Sequence, residues 1–113
     1  MAEITPFPRM LEPSQTGFER QELSRIMDLY GRMVSAGHWR DYAIHFGRDV
    51  ATFSAFRRAA ERPEYRIEKR PDLRHRQGMW ALIGEAGAVL KRGQELGGVL
   101  APVERKLVRL VEK

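Results

Sequence analysis

There is no cysteine in the sequence, which excludes disulfide staples, thiol nucleophiles and thiolate-bound zinc or iron–sulfur clusters together. Stability must come from packing. Long apolar runs are also missing: no stretch approaches the ~18 consecutive apolar residues of a membrane span, so no membrane partner is expected. Residues 1–15 lack a basic start followed by a continuous apolar core, which is the pattern of a secretory signal. The cytoplasm is the expected compartment. Histidine is scarce, and His38, His45 and His75 form no HxH or HExxH pattern, so neither a metal site nor a cofactor is expected. Ser14, Ser24, Ser35 and Ser54 stand outside any nucleophile-elbow context, and Gly93, Gly97 and Gly98 miss both the phosphate-loop and the dinucleotide spacings. Asp41 and Asp49 flank one turn, where an aspartate ordinarily caps backbone donors rather than serving as half of a catalytic carboxylate pair. No catalytic motif emerges, and the chain is not expected to be an enzyme.

What the sequence does contain is the makeup of a packed domain. Its 113 residues suffice for one core and fall short of two, with 42% hydrophobic and 31% charged residues, unlike a disordered chain. The net charge is +5, and it is unevenly spread. Residues 1–36 carry four Arg or Lys against five Asp or Glu, and residues 37–56 carry two against two. The next segment holds eight cations, Arg57, Arg58, Arg62, Arg66, Lys69, Arg70, Arg74 and Arg76, against Glu61, Glu64, Glu68 and Asp72. The basic surplus is therefore concentrated in the middle of the chain.

Periodicity supplies the elements. Pro6, Pro8 and Pro13 mark residues 1–15 as an extended or mobile arm, with Ile4, Phe7 and Leu11 as its anchors if it lies along the fold. Residues 16–113 are expected to form a single α+β domain. Thr16 and Glu19 have the spacing of a capping box, which predicts a helix from there to the stop at Gly37, its apolar stripe being Leu23, Ile26, Met27, Tyr30, Met33 and Val34. Beyond Trp39 the period becomes two. Tyr42, Ile44 and Phe46 alternate with Ala43 and His45, a turn follows at Gly47–Asp49, and the run from Val50 to Phe56 completes a hairpin. Ala59–Pro63 reads as a loop, and Tyr65, Ile67 and Lys69 alternate with Arg66, Glu68 and Arg70 until Pro71 ends a third strand. Met79, Leu82, Ile83, Ala86, Val89 and Leu90 also fit a helical stripe, but Gly84 and Gly87 would each cost a helix interior about 1 kcal/mol. Two short strands, Met79–Ile83 and Ala88–Lys91, are the expectation. Leu96, Val99, Leu100, Val103, Leu107, Leu110 and Val111 then predict a closing amphipathic helix, firm over Ala101–Val111, with Gly97 and Gly98 weakening its start and Pro102 as an early position. The fold class is thus α+β: helix, an antiparallel sheet of three to five strands, helix.

Function has to be sought in the basic segment. Arginine suits phosphate because its planar fork donates two hydrogen bonds at once, and the flanking Phe56, Tyr65 and Trp80 are placed to stack on bases. The bland alternative is a solvated sheet face on which these arginines pair with Glu61, Glu64 and Glu68 while the aromatics are core. The expected polyanion contacts are Arg57, Arg58, Arg62, Arg66, Arg70, Arg74 and Arg76, joined by Lys91 and Arg92, with RNA favoured over DNA. A competing expectation is a protein-interaction or homodimerising module that uses a strand edge or the last helix. The element order also resembles the double-stranded-RNA-binding fold, in which a lysine cluster opens the final helix on phosphates; Lys91 and Arg92 precede the last helix here, but that family's glycine, proline and histidine loop is missing.

Several separated segments carry a second resemblance. Leu29-Tyr30-Gly31-Arg32-Met33-Val34, Trp39-Arg40-Asp41-Tyr42, Phe56-Arg57-Arg58, Tyr65-Arg66-Ile67-Glu68-Lys69-Arg70-Pro71, Gln77-Gly78 and Leu90-Lys91-Arg92-Gly93 resemble, in this order, a small alphaproteobacterial family known only as a domain of unknown function. The resemblance spans roughly Phe18 to Val111. It implies a bacterial cytoplasmic origin and no assigned activity, so it transfers no catalytic residue.

Overall fold

The computed structural model describes residues 14–58 and 62–112. The arm expected over residues 1–15 therefore lies outside the described residues except for its last two positions, as do residues 59–61 of the expected loop. The elements run α1 (Arg20–Ser35), β1 (Asp41–Phe46), β2 (Ala51–Phe56), β3 (Tyr65–Lys69), β4 (Trp80–Gly84), β5 (Val89–Gly93) and α2 (Leu96–Val111). All five strands form one antiparallel sheet in the order β1-β2-β3-β4-β5. The α+β architecture expected from the sequence is what the chain adopts, and residues 79–93 form a hairpin rather than a helix.

Strand register decides which residues share a side. Tyr42, Ile44 and Phe46 lie opposite Ala55, Phe53 and Ala51, which lie opposite Tyr65, Ile67 and Lys69, and these in turn meet Gly84, Leu82 and Trp80. Both helices cover this side. Ile26, Leu29 and Met33 of α1 and Leu96, Val99, Leu100, Val103 and Leu107 of α2 join Phe53, Ile67, Trp80 and Leu82 in one core. Each such side chain contributes roughly 1.5–3 kcal/mol of transfer free energy when fully buried. The helical stripes read from the sequence are the faces that pack except at their last positions, Val34 and Val111, which are exposed. The other side of the sheet is free of both helices and carries Asp41, Ala43, His45, Thr52, Ser54, Phe56, Arg66, Glu68, Ala81, Ile83 and Arg92.

Lys69 occupies an inward row. Its ammonium is 7% exposed as a residue and is satisfied by the Gly17 carbonyl at 3.0 Å and Glu22 Oε1 at 2.7 Å, beneath the Trp80 ring, whose centroid is 5.8 Å away. A buried amine is tolerable only with such partners. It ties β3 to the entry of α1.

Helix boundaries differ from the sequence expectation in two places. The capping box that opens α1 is made by Glu19 and Glu22, with the Glu19 amide donating to Glu22 Oε1 at 2.8 Å. Thr16 is instead recruited by the β1–β2 turn, its amide donating to the Gly47 carbonyl at 2.7 Å and its hydroxyl to the Arg48 carbonyl at 2.8 Å. A long-range turn contact wins over the local cap. At the other end, α2 begins at Leu96 and keeps Gly97 and Gly98 inside its first turn, because burial of Leu96, Val99 and Leu100 outweighs the glycine penalty. Pro102 sits inside the helix, where its ring would press on the carbonyl four residues earlier. That carbonyl belongs to Gly98, the residue with no side chain to add to the crowding. Gly37, at φ 78°, ends α1 as expected.

Gly31, in the middle of α1, is exposed, and a Cβ there would meet nothing within 4 Å. Gly31→Ala is expected to stabilise the protein by about 0.5–1 kcal/mol through the unfolded chain's lost freedom. Thermal denaturation at constant pH checks it. A lowered midpoint would show that α1 needs the glycine for close approach to something beyond the described residues.

Candidate nucleic-acid interface

The basic residues separate into three groups. Arg66 and Arg70 point to the helix-free side of β3 and flank Glu68, which bonds Arg70 Nε at 3.3 Å and lies 3.9 Å from Arg66. Arg92, opposite Ala81 on β5, is on the same side and donates to the Gly78 carbonyl at 3.2 Å. Two guanidiniums thus flank one carboxylate on this face, and a third, Arg92, shares the face two strands away. Arg57, Arg58 and Arg62 lie beyond the β2 end of the second hairpin. With Glu64 and Glu85 they line a recess of about 190 Å³. Arg74 and Arg76 lie in the connection between β3 and β4, at the far end of the same strands, after a single 3₁₀ turn at Pro71–Leu73, and both are exposed. Along the direction of β3 the groups therefore follow one another in the order recess, Arg66 and Arg70, β3–β4 connection.

The aromatic expectation needs correction. Trp80 is 2% exposed and stacks on Phe18 inside the core at 6.2 Å, and Tyr65 is on the helix side, in edge contact with Trp39 at 6.3 Å. Strand parity explains both, since residues 65 and 80 fall in the inward rows. Of the three aromatics only Phe56 belongs to the helix-free side, where it is half-buried. Lys91, opposite Leu82, points to the helix side at the sheet edge. Lys91 and Arg92 belong to β5 rather than to the start of α2, so the lysine-cluster analogy with the double-stranded-RNA-binding fold does not hold. At an edge strand these cations discourage pairing with another sheet.

Glu64 is the residue the sequence did not single out. By sequence it is one of the acids that could neutralise the arginines, but its carboxylate is turned toward α2 and is 8% exposed. Trp39 Nε1 donates to it at 2.7 Å, Lys106 Nζ at 2.6 Å, and His38 Nε2 stands 3.0 Å from one oxygen and 3.1 Å from the other. Burial alone would raise its pKa, yet the hydrogen bonds from Lys106, Trp39 and His38, with the Lys106 charge, hold it below the ordinary 4.5. The partners lie 25 to 42 residues away in sequence, so no local spacing announces them. The cluster fastens the second hairpin to α2 and to the chain leaving α1. Glu64 is also one of the residues that line the recess with Arg57, Arg58 and Arg62.

His45 and Asp41 stand on the helix-free side, both exposed, and Asp41 accepts from the Tyr42 amide at 2.8 Å. Among the described residues no group of three or more His, Asp or Glu side chains could hold a metal ion. No helix among them is long and apolar enough to cross a membrane.

A family model described as a protein of unknown function, DUF2794, matches residues 16–100. The chain belongs to this family. The match begins at the Thr16 contact with the β1–β2 turn and ends inside the first half of α2, so the whole sheet, these arginines and the Glu64 carboxylate fall within DUF2794. No curated protein and no solved structure matches the chain.

Proposed function

We propose that this DUF2794 protein is a non-enzymatic cytoplasmic module that binds single-stranded nucleic acid, RNA above DNA, across the helix-free side of its sheet. The observation that carries the reading is that Arg66, Arg70 and Arg92 share that side with only Glu68 among them. A phosphate backbone laid along β3 meets guanidiniums in succession, and Arg57, Arg58, Arg62, Arg74 and Arg76 extend the series at both ends. Unpaired RNA offers bases free to stack on guanidinium planes and on Phe56.

Phosphate contacts make affinity fall with salt, with a log–log slope of roughly −0.7 per neutralised phosphate on a single strand. The variant Arg66→Glu with Arg70→Glu is expected to weaken binding of a labelled oligoribonucleotide at least tenfold and to make the slope shallower by about 1.4. Fluorescence anisotropy at several salt concentrations measures both. An affinity indifferent to salt, or unchanged in the double variant, sinks the reading.

A second reading rests on apolar exposure. Val34, Val108 and Val111 are 41%, 49% and 62% exposed, beside a groove of about 400 Å³ at the ends of both helices, and Val89 and Leu90 are exposed on the edge of β5. On this reading the module self-associates or binds another protein. A sedimentation mass of two chains, with no shift of labelled RNA at low salt, would favour it.

A further inference from the structure

The recess at the β2–β3 end differs from the helix-free side of the sheet. Arg57, Arg58 and Arg62 line it, and among the described residues none of the three has a carboxylate partner, whereas Arg66 and Arg70 share Glu68. Three unpartnered guanidiniums facing one concavity repel one another, and an anion that accepts from all of them relieves that repulsion. The acids in the lining do not supply it. Glu64 is already engaged by Lys106, Trp39 and His38, and Glu85 is exposed in the β4–β5 turn with no ion pair among the described residues.

Size and charge narrow the anion. The recess is about 190 Å³, the scale of one phosphate group rather than a length of backbone, and Glu64 in its lining is already held by Lys106. An internal phosphodiester must continue in two directions, but a phosphate monoester ends a chain. It presents three oxygens at up to two negative charges, matching three forks better than the single charge of a diester. The position agrees, since β3 begins beside the recess at Tyr65 and its first outward cation is Arg66. A strand lying along β3 would terminate where the recess opens.

We propose that Arg57, Arg58 and Arg62 form a receptor for a phosphate monoester, supplied by the 5′-terminal phosphate of the strand on the sheet. This rests on the nucleic-acid reading above. The specificity it adds is for an end: the arginines of the helix-free side take any single strand, and the recess selects strands that begin with phosphate.

The test compares two 3′-labelled oligoribonucleotides of one sequence, bearing 5′-phosphate or 5′-hydroxyl, at fixed salt. The phosphorylated strand should bind about tenfold tighter. In Arg57→Ala with Arg58→Ala both strands should lose the part of their affinity that these two cations supply, but the preference should vanish, the phosphorylated strand falling to the affinity of the hydroxyl strand, and because both side chains are exposed the thermal midpoint should not move. Arg66→Glu with Arg70→Glu should weaken both strands equally and leave the preference intact. Equal affinity of the two strands for the wild type, or a preference that survives loss of Arg57 and Arg58, overturns the receptor. If neither strand binds, the nucleic-acid reading fails, and a titration with adenosine monophosphate followed by NMR decides the recess on its own. Shifts of the Arg57, Arg58 and Arg62 side-chain signals would assign it to a free phosphate ester and overturn the strand-end source. No shifts would overturn the anion site altogether.

Discussion

Replacing Glu64 by leucine is expected to cost about 3 kcal/mol of stability, within the ~3–5 kcal/mol seen when one partner of a buried charge pair is removed, at the low end because Lys106 can reach water. The carboxylate satisfies the buried indole of Trp39 and, at once, Lys106 and His38. Its loss strands the Trp39 N–H, which is 2% exposed as a residue and has no solvent to turn to. Glu64→Gln should cost about half as much, keeping an acceptor but no charge. Urea denaturation at neutral pH measures both.

The same cluster imposes a pH dependence. Because the folded pKa of Glu64 lies below 4.5, the unfolded chain binds more protons between the two values, and stability rises with pH across that window. The contribution is complete above 4.5 and is lost as pH falls through the folded pKa. The gap in stability between wild type and Glu64→Gln should therefore narrow as pH is lowered below 4.5. A gap constant with pH would show that the carboxylate is ordinary in the folded protein.

The second large effect is expected at Gly78. Its φ is +108°, and a Cβ built there would stand 2.8 Å from the carbonyl carbon and oxygen of Gly93 and 2.9 Å from its Cα. These are backbone atoms of β5 and cannot swing aside. Gly78→Ala combines an unfavourable left-handed backbone with a forced separation of β4 from β5, about 3 kcal/mol together. Gly87, at φ +93°, provides the control, since a Cβ there meets nothing within 4 Å. Gly87→Ala should cost only about 1 kcal/mol, the backbone part alone. Equal midpoints for the two variants would show that the contact with Gly93 relaxes freely.

Gly78 and Glu64 illustrate two different limits of legibility. Gly78 follows Gln77 in a connection that reads only as a loop, and its need for a bare α-carbon arises from Gly93, a residue of another strand. Glu64 sits after a proline at a strand entrance, where an acid reads as solvated. Trp80 and Tyr65 stay open in the sequence for a related reason: an aromatic beside arginines fits a binding face as well as a core, and only register tells which side of the sheet it takes. Thr16 lost its capping role to a turn more than thirty residues away. In each case the deciding partner is distant in sequence.

Local periodicity, by contrast, was sufficient for both helices and the first three strands, and the cost of Gly84 and Gly87 to a helix decided the last two. The 3.6-residue stripes over Leu23–Val34 and Leu96–Val111 and the two-residue alternations over Tyr42–Phe46, Val50–Phe56 and Tyr65–Lys69 are properties of neighbours, and the chain folds as they require. Composition likewise sets the cation surplus of the middle segment. Tertiary structure alone decided that both helices take one side of the sheet, leaving Arg66, Arg70 and Arg92 together on the other, and that Glu64 turns inward to Trp39 and Lys106. The physical reason is that a pattern of burial says which residues must hide, whereas the identity of what hides them follows from strand order and helix packing, which are contacts between distant parts of the chain.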